Sequence, residues 1–489
     1  MPSCDGLRFR PYDLRMLFPT ITFAIFFAIV LPLNWLLMPR GRVWSVFIIG
    51  ASYVFYAWWD VRFVLLLAGM TVWNQLVAVV VDRAEGGRRR LLLGVGVAGD
   101  LAVLGYFKYA DFFLVSVHNG FARLGIDVGV PVLEITLPVG ISFFTFQALT
   151  YIVDTYRRLI RPVAMVDFAV YLSFFPHLVA GPIVRARELM PQIFARHDPR
   201  RVDVSGAFVL IVSGLFKKVV LSDVLSTRIV DPVFGAPSLH SGLETLVAVY
   251  AYAAQIYCDF SGYTDIAIGL ALLLGFRFPQ NFDAPYTAVS ERDFWRRWHM
   301  TLSRFLRDYL YIPLGGNRHG RLRTYLNLML TMLLGGLWHG ASWSFVVWGG
   351  LHGSALCGEH LWSEEREKRG WRKLARTPAR QWIARFLTFQ FVCLGWVFFR
   401  AGSVSVAMDV LGRLVHGWGE PSPLVTTGVV AATVAGIGVQ YVPPRVLDRL
   451  RTAFDRLGPV QMGAVLGVAL LVIETLGPSG VAPFIYYAF

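Results

Sequence analysis

Two stretches of a strongly apolar chain, one polar and one apolar around a histidine, hold the side chains best suited to chemistry. The first, SERDFWRRWHMTLSRFLRDYLYIPLGGNRHG, runs from Ser290 to Gly320. Ser290 followed by Asp293 reads as the start of a helix whose first turn is capped by side-chain oxygens. Continued as a helix, the spacing places Arg292, Arg296, His299 and Ser303 on one face. Asp293, Arg297, Arg304 and Asp308 fall near a second face, where Asp293 can pair with Arg297 and Arg304 with Asp308. Trp295 and Trp298 flank the histidine, and Pro313, Gly315, Gly316 and Asn317 follow as a tight turn. The second stretch, LLGGLWHGASWSFVVWGGLHG from Leu333 to Gly353, sets His339 between Trp338 and Gly340 among apolar and small residues. Gly336 and Gly340, and again Gly349 and Gly353, have the small-xxx-small spacing that lets helices approach closely.

An imidazole titrates near pH 6.5, roughly the midpoint of the physiological range, so it can take a proton and return it. A histidine at either place could be the base for a hydroxyl attacking a thioester. It could equally relay protons through a transporter, and the residues alone leave both open. A metal centre is not expected: no H-E-x-x-H or other close ligand spacing occurs among the histidines, and His339 and His352 could meet only through folding. Neither a G-x-x-x-x-G-K-[ST] loop nor a G-x-S-x-G elbow occurs, nor a G-x-G-x-x-G joined to a strand, which removes ATP-driven pumps, α/β-hydrolases and nucleotide-binding folds as leading readings.

The elements that must position these residues are set by composition. Of 489 residues, 55% are apolar and 16% charged, where a soluble chain carries about 25% charge. The apolar residues come in blocks such as Leu17 to Met38, Val61 to Val81 and Trp382 to Phe399. Each is close to the ~20 residues that cross a bilayer core as a helix. No period-2 barrel pattern accompanies them, so the expected fold is all-α, a polytopic integral membrane protein. A soluble enzyme, a disordered chain, a collagen-like repeat and a small disulfide scaffold are excluded.

Apolar blocks lie at 17–38, 43–59, 61–81, 91–117, 135–153, 164–180, 205–225, 243–275, 324–339, 341–361, 382–400, 424–442 and 460–477. They predict about eleven crossings plus re-entrant helices. The block 164–180, with Pro176, His177 and Gly181, and the block 243–275, with Asp259, Gly262 and Asp265, are expected to be broken or re-entrant. The net charge of +14 sits mainly in short connections, Arg83 to Arg90, Arg157 to Arg161 and Arg366 to Arg385. This positive-inside pattern assigns those connections to the cytoplasm and makes anionic membrane lipids, not nucleic acid, the partner of the excess charge. The connection 363–381 is read as a solvated cytoplasmic loop, and the amino-terminal MPSCDGLRFRPYDLRMLFP as a retained cytoplasmic end. Cys4, Cys258, Cys357 and Cys393 form no C-x-x-C pair and are expected to be buried as small apolar side chains, without a disulfide frame or zinc site.

The run RDFWRRWHMTLSRFLRDYLYIPLGGNR followed by GGLWHGASWSFVVWGGLHG resembles the membrane-bound O-acyltransferases, most closely the branch that includes the membrane subunit of bacterial alginate O-acetylation. FFPHLVAGPIVR from Phe174, YCDFSGYTDIAIGLALLLGF from Tyr257, NFDAPY from Asn281 and WVFFRA from Trp396 carry the same resemblance. It covers a core at about 140–400 and implies a central tunnel; with the apolar blocks on either side, read as amino-terminal helices over 17–117 and carboxy-terminal helices over 424–477, the expectation is one membrane domain over 1–489. It further implies an acetyltransferase of the bacterial inner membrane that takes acetyl from cytoplasmic acetyl-CoA toward a secreted polysaccharide through a periplasmic SGNH-type partner. On this resemblance His339 and His299 are the catalytic pair, and Arg296, Arg297, Trp295, Trp298, Ser303, Asn317 and Trp338 are substrate-binding. No metal or covalent cofactor is implied, and His177 is given no catalytic role. The alternatives are export of D-alanyl or another acyl group to a cell-wall polymer, or a secondary transporter with a histidine relay.

Overall fold

The computed structural model describes residues 16–126, 135–371 and 377–478, with 129, 131 and 133 between the first two stretches. The segment before Met16, with Cys4, and residues 372–376 of the connection 363–381 lie outside the described residues. Every regular element among the described residues is helical. Short polar side chains start the helices by bonding otherwise unpaired N–H groups. Thr20 accepts from the Phe23 N–H at 3.2 Å, Asp60 from Arg62 at 2.9 Å, and Ser241 and Glu244 close a reciprocal capping box.

Six helices are long and apolar enough to cross a membrane: Ile21–Arg40, Val61–Arg83, Gly86–Ala122, Val204–Gly235, Gly242–Leu273 and Pro378–Arg400. Shorter apolar helices run over Arg42–Ala57, Thr427–Tyr441 and Val460–Leu476. Large apolar side chains such as Ile21, Leu65 and Leu91 are exposed along the outer helices. In water that surface would be untenable; facing acyl chains it is matched to its solvent. The chain is an all-α, multi-pass membrane protein.

Gly242–Leu273 is the most buried of the six. The sequence suggested that Asp259, Gly262 and Asp265 would interrupt it; the helix is continuous. Each polar residue meets a partner from the Val204–Gly235 segment. Lys218 Nζ lies 2.6 Å from Asp259 and 2.8 Å from Asp223, all fully buried, and Lys217 Nζ donates to Asp265 at 2.5 Å. Pairing is what makes buried charge tolerable in an apolar setting. Phe216–Ser222 and Ser226–Val230 are π-helical, a local widening that accompanies the presentation of both lysines to one neighbour. Gly262 is small because Gly214 is opposite: a Cβ would lie 2.7 Å from the Gly214 carbonyl oxygen.

The block 164–180 does break, into Met165–Ser173 and Phe175–Leu178, with Pro176 near the start of the second piece. The connection 363–381 is not all loop: residues through Lys368 extend the helix Trp343–Lys368, with Ser363 Oγ bonding the Glu359 carbonyl and Arg321 pairing with Glu364 at 2.5 Å. Cys258 and Cys393 are buried free thiols, as expected, whereas the free thiol of Cys357 is only half-buried.

Candidate active site

The Ser290–Gly320 stretch begins as read. Ser290 Oγ accepts from the Asp293 N–H at 3.2 Å, and Asp293 pairs with Arg297 at 3.0 Å. The helix then stops at Arg297, and Met300–Phe305 begins a new one. Between them His299 sits at φ 41° and ψ 55°, in the left-handed region. Arg292, Arg296, His299 and Ser303 therefore do not share a continuous face. A left-handed backbone at a non-glycine residue stores about 1–3 kcal/mol and persists only where the surroundings over-determine it.

Asn281, from the NFDAPY string, does that. Its carbonyl accepts the Met300 N–H at 2.9 Å, and its side-chain Oδ1 accepts from His299 Nδ1 at 3.1 Å, the Thr301 N–H at 3.2 Å and Thr301 Oγ1 at 2.8 Å. The Thr301 amide identifies the Asn281 atom as oxygen, so His299 Nδ1 carries a proton. Nε2 of the neutral ring is then a bare acceptor, and it has no hydrogen-bond partner among the described residues. The imidazole is fully buried, edge-on to Phe260 with ring centroids 4.7 Å apart.

His339 is the last residue of Arg321–His339, which turns at once into Trp343–Lys368. The glycine spacing does what it suggested: a Cβ on Gly336 would lie 2.2 Å from the Phe345 carbonyl oxygen, and one on Gly349 2.4 Å from that of Met332. The two helices close backbone to backbone. The His339 ring lies 5.0 Å from Trp338, 5.0 Å from Trp348 and 5.1 Å from Phe399. Trp338 is also 6.0 Å from His299, so the two histidines, far apart in sequence, meet at one indole.

Sequence reasoning missed what holds this helix end. Lys108 Nζ donates to the carbonyls of Trp338 at 2.6 Å and His339 at 3.1 Å, and Tyr109 donates to that of Leu337 at 2.7 Å. A cation on the last carbonyls satisfies groups that no helical turn follows. Its signal was a lone lysine inside the block 91–117. A cavity of about 70 Å³, lined by Lys108, Gly140, Ser142 and Trp338 among others, opens beside it.

The remaining predicted residues divide. Trp298 is buried against Trp396, Phe282 and Phe294, and Trp295 contacts Trp348 and His352. Ser303 Oγ caps the Trp298 carbonyl at 3.3 Å. Arg297 is held by Asp293 and Asp283, while Arg296 is exposed and forms no ion pair among the described residues. Asn317 is exposed, in the turn where Gly315 and Gly316 have positive φ. Arg304 and Asp308 do not pair with each other. Arg304 takes Glu188 at 3.1 Å, and Asp308 takes Arg185 at 2.7 Å and Arg307 at 2.7 Å. His177 bonds the Tyr171 carbonyl through Nε2 at 3.0 Å and stacks on Phe278, a core histidine whose Nδ1 has no hydrogen-bond partner among the described residues. No cluster of three potential metal ligands occurs among the described residues.

The arrangement offers an acceptor nitrogen and a second imidazole across a buried aromatic wall, suited to moving one proton at a time. Residues 103–402 match the membrane-bound O-acyltransferase family. The chain is 38% identical to the probable alginate O-acetylase AlgI of Pseudomonas putida over 95% of its own length and 98% of the relative's. It is 43% identical to the Pseudomonas aeruginosa protein of the same name, over 78% and 71% of the two chains. It is 39% identical to the peptidoglycan O-acetyltransferase of Helicobacter pylori, over 76% and 73%. From the family match and these relatives, the chain belongs to the membrane-bound O-acyltransferase family and is an O-acyltransferase.

Proposed function

We propose that this protein transfers acetyl from cytoplasmic acetyl-CoA, across the bacterial inner membrane, for O-acetylation of a secreted polysaccharide, with a periplasmic SGNH-type acetyltransferase as its partner. The observation that carries the chemistry is the meeting of His299 and His339 on Trp338. The alginate and peptidoglycan acetylases among its relatives support a polysaccharide as the final acceptor.

His339 takes the proton of the acceptor hydroxyl as its oxygen attacks the thioester carbonyl carbon. The tetrahedral intermediate collapses with cleavage of the carbon–sulfur bond, and the departing thiolate recovers the proton from the His339 imidazolium. The products are an O-acyl ester and a free thiol, and no net proton leaves the site. His299, with Nδ1–H engaged by Asn281, presents Nε2 as an acceptor. That suits accepting a hydrogen bond from a second hydroxyl of the acceptor, beside the one His339 deprotonates; polarising the donor carbonyl would require the doubly protonated ring. Lys108, by fixing the carbonyls of Trp338 and His339, sets where the base stands.

The donor's phosphates need cations, and Arg296, exposed and free of ion pairs among the described residues, is available to them. Arg297, Trp295, Trp298 and Ser303 act less directly, by shaping the segment that carries His299. Inverted membrane vesicles containing the full chain and its native partners should release free coenzyme A from acetyl-CoA, and Arg296→Ala should raise the KM for acetyl-CoA. Absence of thiol release, with the partner verified as active, would point to a different donor or to transport.

A further inference from the structure

A further buried histidine, His352, packs against Trp348. His352 Nδ1 donates to Glu291 Oε1 at 2.5 Å, with the imidazole fully buried and the carboxylate 4% exposed. His352 and His339 both place edges on Trp348, at 4.7 and 5.0 Å between ring centroids. Behind it Gly395 leaves room for nothing larger: a Cβ there would sit 2.9 Å from His352 Nε2.

The pair joins the two chemistry-bearing segments. Glu291 is the first residue of Glu291–Arg297, the short helix that leads into Trp298 and His299. His352 lies on Trp343–Lys368, one turn from Trp348 and two turns from Glu359, so all three share a stripe. Glu359 grips the same short helix at its start, accepting the Glu291 N–H at 2.5 Å and the Arg292 N–H at 3.2 Å. An anion at a helix N-terminus is favourable. One stripe thus presses Trp348 on His339 at one end and anchors the His299 segment at the other.

We propose that Glu291 and His352 are positioning residues for acyl transfer, holding Trp348 and the His299 segment in register so that both imidazoles address one substrate. The inference rests on the assignment of His339 as the base. A merely structural pair would lose rate only with loss of folded protein. A positioning pair loses turnover while donor binding stands, since a displacement of ~1 Å can lower the rate about 10²-fold.

The test uses the full chain in inverted membrane vesicles with its native partners, reading thiol release from acetyl-CoA per folded protein. His352→Ala and Glu291→Ala should each lower turnover about 10- to 100-fold with KM for acetyl-CoA within about twofold. The double variant should be no more than about threefold worse than either single, because the two residues act as one unit. Asn places its amide nitrogen near Nδ1 and Gln near Nε2, so His352→Asn should recover most of the rate and His352→Gln should not. This comparison decides the matter should the alanine variants fail to accumulate. Alanine variants within threefold of the unsubstituted protein, multiplying losses in the double variant, or equal activity of the Asn and Gln variants would overturn the proposal. His339→Ala runs alongside: activity there removes the base assignment itself, whereas an inactive His339→Ala with fully active Glu291→Ala removes only the positioning role. Should vesicles of the unsubstituted protein release no thiol, the donor assignment falls, and the same variants are read by O-acetyl content of the secreted polymer.

Discussion

Asn281→Ala tests whether the backbone at His299 is held for a purpose. The substitution deletes the oxygen that accepts from His299 Nδ1, the Thr301 amide and the Thr301 hydroxyl. His299 is fully buried and Thr301 1% exposed, so water does not replace the lost acceptor without rearrangement. The hydroxyl can rotate, but the imidazole N–H and the amide N–H are stranded at about 1–3 kcal/mol each. The left-handed conformation, itself a store of about 1–3 kcal/mol, then loses what holds it and relaxes. Partial relaxation brings the expected loss of stability to about 2–4 kcal/mol, read as a lower unfolding temperature in detergent. Relaxation also moves His299 away from Trp338, and turnover per folded protein should fall about 10²-fold. Thr301→Ala keeps the His299 bond and should lose less than tenfold. The assay is O-acetyl content of extracellular polysaccharide from a deletion strain complemented at matched expression, with vesicle thiol release as the rate. An Asn281→Ala protein as stable and as active as the unsubstituted one would refute the reasoning.

Gly336→Ala should separate the His339 hairpin, because the added methyl meets the Phe345 carbonyl oxygen at 2.2 Å; a loss of about 1–3 kcal/mol in thermal unfolding checks it. Lys218→Met strands the Asp223 and Asp259 carboxylates at 1–2% side-chain exposure, and should destabilise the protein by about 3–5 kcal/mol, seen as failure to accumulate in membranes. For orientation, single cysteines at Arg88 and Arg369, both exposed, in a background lacking Cys4, Cys258, Cys357 and Cys393, should resist a membrane-impermeant thiol reagent in intact cells. Labelling of both from outside would reverse the topology and the side of donor entry.

The two histidines were legible because a polar residue inside an apolar block has few bland explanations, and residue type plus neighbours marked them. The helix starts were legible too, since Ser290 and Ser241 act locally. What sequence could not supply came from distant partners. His299 breaks the helix because Asn281 holds it, and nothing between Arg297 and Met300 announces that bond. Asp259 and Asp265 look like helix breakers until Lys218 and Lys217 stand opposite them. Arg304 and Asp308 have the spacing of a helical pair, yet each found a stronger partner, Glu188 and Arg185, on another segment. Lys108 and His352 read as incidental because their roles depend on which helix ends they reach.

The most direct measurement of the central claim is acyl transfer by His339→Ala, compared with the unsubstituted protein at equal amounts in the membrane. Loss of the base lowers the rate roughly 10² to 10⁴-fold, while alanine, smaller than the imidazole, makes no clash with Trp338, Trp348 or Phe399, and the variant should still insert in the membrane. Cells carrying only this variant should secrete a polymer without O-acetyl groups, with the protein present and folded. Polymer acetylated at the normal level in those cells would contradict the claim.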